Sequence, residues 1–91
     1  MDLVKNLLEK HNFKIHSSPP GFIWSKRDKD NTSIVCSFNM EVMTVSISHG
    51  GARNPRKAKK IIKSIFGDSY RCEQQKVISA SAVYFNLTRL N

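Results

Sequence analysis

Two periodicities alternate along the chain. Leu3, Val4, Leu7 and Leu8 recur at helical spacing behind Asp2, which predicts a first helix capped by Asp2 and ending near His11 and Asn12. Period two then takes over. Phe13 and Ile15 alternate with polar residues and predict a short strand. Ser17-Ser18-Pro19-Pro20-Gly21 is a rigid turn that no regular element crosses. Phe22 to Arg27 predicts a strand with Phe22 and Trp24 inward and Ser25 and Arg27 outward, followed by a charged hairpin tip at Asp28-Lys29-Asp30-Asn31. Thr32 to Asn39 predicts the next strand, with Ile34, Cys36 and Phe38 inward. A turn at Asn39-Met40-Glu41 leads to another, with Met43, Val45 and Ile47 inward. Three runs of this kind read as a half-buried antiparallel meander.

The helical period returns after the loop His49-Gly50-Gly51-Ala52-Arg53. Asn54 caps and Pro55 opens a second helix. Ala58, Ile61, Ile62, Ile65 and Phe66 follow at i, i+3, i+4, i+7 and i+8, one buried helical face, and Gly67 is expected to close the helix as a left-handed cap. A weaker strand carries Tyr70 and Cys72. After a polar region around Glu73 to Lys76, a last strand from about Ala82 to Leu90 turns Val83, Phe85 and Leu87 inward. The order is α-β-β-β-β-α-β-β. This is one α+β domain over residues 1–91, with an antiparallel sheet of five to six strands. Two helices are too few to cover both faces of such a sheet, so both are expected on one face.

Composition changes this picture in one respect. The chain has 15 Lys and Arg against 7 Asp and Glu, a net charge of +8. Residues 49–67 hold six of those basic side chains and no acidic one, so the other 72 residues share only +2. Charge placed in this way points to a polyanion, most simply DNA or RNA. At 100° per residue, Arg56, Lys60 and Lys63 lie opposite the apolar stripe, with Lys57 and Lys59 beside them and Arg53 just upstream. A solvated helix face ordinarily mixes both signs; this one does not. The outward face of the sheet is the rival surface. It is expected to carry small hydroxyls (Ser33, Ser37, Thr44, Ser46, Ser48) and Tyr84, Asn86 and Thr88, with Lys26, Arg27, Lys29 and Arg89 at its margins. Hydroxyls contact phosphates and bases alike.

Candidate chemistry is sparse. The three histidines, His11, His16 and His49, and the two cysteines, Cys36 and Cys72, show no zinc-ligand spacing, so neither a metal nor any other cofactor is expected. Cys36 reads as a buried free thiol. Ser48-His49-Gly50-Gly51 before a helix start has the makings of an anion-holding loop, but it matches no phosphate-loop pattern. Small α+β ribonuclease toxins use a strand histidine beside Gly-Ser. The comparable segment here, Pro20 to Trp24, has none, leaving His49 as the one candidate for such chemistry. The chain therefore reads as a non-enzyme. It has no apolar run of membrane-spanning length and no signal-peptide core at its start, which predicts a cytoplasmic protein.

Two segments, Asp2-Leu3 to Phe13 and Val83-Tyr84-Phe85-Asn86-Leu87-Thr88-Arg89, resemble the opening helix and last strand of the double-wing family, the C-terminal DNA-binding domain of the T-even phage activator MotA. The intervening order of strands, helix and final hairpin is similar too. The resemblance implies a helix-backed sheet whose open face binds DNA, a phage origin with action in the host cytoplasm, and Arg89 as a contact. The sequence departs from that family in its far more basic second helix and in having no counterpart of MotA's sigma-factor-binding N-terminal domain, so promoter activation is not implied. Two functions follow as expectations. One is a small nucleic-acid-binding protein. The other is an inhibitor whose basic ridge docks on an acidic or nucleic-acid-handling host protein, such as a nuclease or toxin. Exposed strand edges are compatible with a homodimer.

Overall fold

The computed structural model describes residues 2–77, 79 and 81–90. Its elements are α1 (Asp2–Lys10), β1 (Lys14–Ser17), β2 (Phe22–Arg27), β3 (Thr32–Asn39), β4 (Val42–His49), α2 (Pro55–Phe66), β5 (Tyr70–Gln74) and β6 (Val83–Arg89). Type and order are those read from the sequence. The strands form one antiparallel sheet in the order β1-β2-β3-β4-β6-β5. The first four strands are chain neighbours, and β6 inserts between β4 and β5, so the last hairpin closes the sheet's far side.

The register sets the core. One cross-strand row runs Ile23, Cys36, Val45 and Phe85, and the next runs Ile15, Ser25, Ile34, Ile47 and Val83. The apolar members of these rows join Val4 and Leu8 of α1 and Ala58, Ile62, Ile65 and Phe66 of α2 in a single cluster, with Ile15 partly buried at its edge. Both helices therefore cover the same face, and the other face is open. Truncating Ile62 or Phe66 to Ala would cost about 2–5 kcal/mol, a large share of the roughly 5–15 kcal/mol available to a small domain.

The ends of α2 have different logic. Asn54 accepts a hydrogen bond from the Lys57 backbone N–H at 3.2 Å, and Pro55 follows it, so the start signal is realised as expected. Gly67 is not a left-handed cap: its φ is −62°. Glycine is required there for another reason, because a Cβ would run into the Lys63 carbonyl oxygen that the Gly67 N–H already bonds.

The inward face of β2 differs from expectation. Ile23 and Ser25 are fully buried, while Trp24 is 40% exposed on the open face and Phe22 shares that side. Ile23 completes the apolar row above at its β2 end, and a one-residue change of phase reverses every side chain on a strand. Ser25 is tolerated in the core because its hydroxyl donates to the Ile34 carbonyl at 3.1 Å. The reversal also carries Arg27 to the helix-covered side and Lys26 to the open one.

Both cysteines are free. Cys36 lies in the core as expected, and burial pushes its thiol up to about 12.

Candidate functional site

The basic residues of α2 divide into two groups. Arg56, Lys59, Lys60 and Lys63 are exposed and together line one shallow depression on the solvent side of the helix. Their spacing is i, i+3, i+4 and i+7, which puts all four on one face. Like charges at that spacing destabilise a helix by about 0.2–0.5 kcal/mol per pair. Among the described residues, none of the four makes a salt bridge. The ridge read from the sequence is thus a real surface, with Lys59 a full member.

Lys57 belongs elsewhere. Its ammonium lies 3.8 Å from Asp30 at the β2–β3 hairpin tip, and the same carboxylate is gripped by Arg27, whose Nε donates to Oδ1 at 3.0 Å and Nη2 to Oδ2 at 2.8 Å. Arg27 also donates to the His11 carbonyl at 3.2 Å and lies 4.7 Å above the centre of the Phe13 ring. Its hydrogen bonds hold the Asp30 carboxyl well below the usual carboxylate range against the opposing effect of burial; Thr32 and Lys57 add to the lowering. Beside Arg27, in the same cross-strand row, come Thr32 and His49. The Thr32 hydroxyl and His49 Nδ1 are 3.1 Å apart, and burial, then Lys57, lower the His49 pKa. Arg27, Asp30, Thr32, His49 and Lys57 therefore form a polar lid on one end of the core. Arg27 is committed to that lid and does not stand at the margin of the open face.

The His49–Ala52 loop is also committed. The N–H groups of His49, Gly50 and Ala52 donate to the carbonyls of Ala52, Asn31 and His49, so these amides are not free to hold an anion. His49 Nε2 and Arg53 Nε are buried with no hydrogen-bond partner among the described residues. No group of three or more His, Cys, Asp or Glu among the described residues is placed to hold a metal.

On the open face the hydroxyl floor is present as read. Ser33 pairs with Ser48, Val35 with Ser46, and Ser37 with Thr44. Two things were not read. The first is an aromatic rim: Trp24 stands at the β2 end of the Val35–Ser46 row with the His16 ring 4.9 Å from its own, and Tyr84 stands at the β6 end. The second is that Lys26 pairs directly across from Lys14. Lys29 is exposed at the hairpin tip. Arg89 lies on the helix-covered side beyond Leu87, its guanidinium 5.6 Å from the centre of the Tyr70 ring. The parity of β2 held a clue to the rim, because turning Trp24 inward also turns Lys26 inward.

No helix among the described residues is long and apolar enough to cross a membrane. Comparison with protein-family models, curated proteins and solved structures finds no match to this chain.

Proposed function

We propose that the protein binds nucleic acid through phosphate contacts and carries out no chemistry on it. The observation that supports this most directly is the segregation of charge on α2. Arg56, Lys59, Lys60 and Lys63 share one exposed face with no acid to neutralise them, and the like-charge cost is carried by the fold. A phosphate backbone relieves that cost and releases its own counterions in doing so. The resemblance to the double-wing domain supports the same reading from the opposite face.

Mobility shifts with duplex DNA and with RNA at 50 and 200 mM salt test it. On duplex DNA, contact with about 4–6 phosphates gives a log–log slope of roughly −4 to −5, so affinity should fall roughly 250- to 1,000-fold across that range. Absence of any shift at 50 mM salt ends the reading.

The alternative, an inhibitor docking on an acidic or nucleic-acid-handling host protein, draws support for a protein partner, though not for its charge, from the apolar β3–β4 tip. There Met40 is fully exposed at φ 50°, next to exposed Val42. A stoichiometric partner retained after nuclease treatment would favour it.

A further inference from the structure

The open face of the sheet carries features that phosphate binding alone does not call for. Trp24, the chain's one tryptophan, is 40% exposed and backed on one side by the His16 ring. Tyr84 is half-buried three strands away along the same row. Three strand spacings amount to roughly 14 Å, so the two rings would address different bases of one strand. Val35 and Ser46 lie between them, both short, and leave the rings as the raised ends of a trough. Ser33, Ser37, Thr44 and Ser48 extend the floor on either side with hydroxyls.

The next row begins with Lys14 and Lys26, directly opposite each other on β1 and β2. Like charges in that position destabilise a sheet, and neither lysine makes a salt bridge among the described residues. Among the described strand residues the acid on this face is Glu73, at the far side on β5, where it pairs with Arg71 at 3.0 Å. An anion is therefore favoured one row from an exposed indole. That is the spacing of a phosphate and its base within one nucleotide unit. Bases offer their flat faces to aromatic side chains when they are out of a duplex, and such stacking is tolerant of sequence.

We infer that the open face is a stacking platform for single-stranded nucleic acid, with Trp24 and Tyr84 taking bases and Lys14 and Lys26 taking a phosphate beside the Trp24 end. The inference rests on the nucleic-acid reading above and adds the strandedness of the ligand and the face that holds it. The ridge on α2 then supplies long-range attraction.

The test uses oligothymidylate, oligouridylate and a duplex, with Trp24 emission as the readout. Single strands should quench it and should bind more tightly than the duplex; the DNA and RNA arms decide which sugar is preferred. Trp24→Ala and Tyr84→Ala, both checked for native circular dichroism, should each weaken single-strand binding roughly 5- to 150-fold, and Trp24→Phe should restore most of the loss. Should Trp24→Ala not fold, Tyr84→Ala followed by quenching of Trp24 carries the same test. Duplex bound as tightly as single strand with no change in emission would overturn the inference. So would unchanged affinity in Trp24→Ala alongside lost binding in the double variant Lys60→Glu, Lys63→Glu. Those two results leave the proposed function standing and move the ligand off this face. Absence of binding by every nucleic acid at 50 mM salt would instead remove the proposed function, and this inference with it.

Discussion

Lys26 and Arg27 are chain neighbours with the same charge, and they serve opposite faces of the sheet. Arg27 turns toward the helices, where Phe13, the His11 carbonyl and Asp30 occupy its guanidinium. Lys26 turns to the open face, where its cross-strand neighbour is another lysine. The same division runs through α2: Lys57 is drawn to Asp30, while Arg56, Lys59, Lys60 and Lys63 face solvent with no acid among them. On β2 and α2 a basic residue is therefore either a strut or a surface charge, and the reach of Asp30 decides which. Asp30 collects the struts at one end of the core. The four ridge residues of α2 make no salt bridge among the described residues.

The largest expected effect separates the two kinds of residue by stability. Arg27→Ala removes two donors to a carboxylate, one to a carbonyl and a cation–π contact, all partly shielded from water. It should lower stability by about 2–4 kcal/mol, or roughly 10–25 °C in melting temperature for a domain this size. Lys26→Ala should leave stability within about 0.5 kcal/mol and lower affinity for single-stranded nucleic acid, making the salt slope shallower by about 0.7. Thermal melts and salt titrations of the two variants, side by side, check both halves. A destabilised Lys26→Ala with an unaffected Arg27→Ala would erase the distinction.

The difference between these neighbours was beyond the sequence for an identifiable reason. Strand positions in β3, β4 and β6 alternate between apolar and mostly polar residues, so their inward sets (Ile34, Cys36, Phe38; Met43, Val45, Ile47; Val83, Phe85, Leu87) were legible, as were the buried stripe and Asn54 cap of α2. In β2, apolar Phe22, Ile23 and Trp24 are consecutive, and either phase buries one or two of them. Large aromatics argued for one phase. The aliphatic row through Ile23 and the hydrogen bond of Ser25 decided for the other. With the phase went the placement of Arg27, Lys26 and the aromatic rim. The charged ridge needed only helical periodicity and was legible at once; the polar lid needed contacts between residues 11, 27, 30, 49 and 57, which no local pattern encodes.

A second, smaller effect tests whether Asp30 is what makes the struts. Asp30→Asn keeps the shape but loses the charge, and should cost about 1–2 kcal/mol at neutral pH, given the partial exposure of the pair. The Asp30 carboxyl titrates below its ordinary value near 3.9. Its stabilisation is therefore complete above that pH and is lost as the pH falls through the folded-state value. Denaturant melts of wild type and Asp30→Asn should differ at pH 7 and converge as acid is added below about 4. A constant gap down the whole range would mean the carboxylate's charge is not what holds Arg27 and Lys57.

The smallest effect falls on His49, which reports on the same lid without unfolding it. Burial and Lys57 disfavour its imidazolium, and Asp30 favours it. Its midpoint should therefore lie below the ordinary value near 6.5. The unfolded chain then binds the proton at higher pH than the folded one, so His49 contributes nothing to stability well above that value and costs stability as the pH falls through it. Two substitutions should move the midpoint in opposite directions. Lys57→Ala removes a repelling charge and raises it; Asp30→Asn removes an attracting one and lowers it. Ring-proton chemical shifts of His49, followed through the titration in each variant, measure both movements. If Lys60→Ala, one helical turn along on the ridge, shifts His49 as much as Lys57→Ala does, the two groups of basic residues on α2 act as one field and the division between struts and surface charge does not hold.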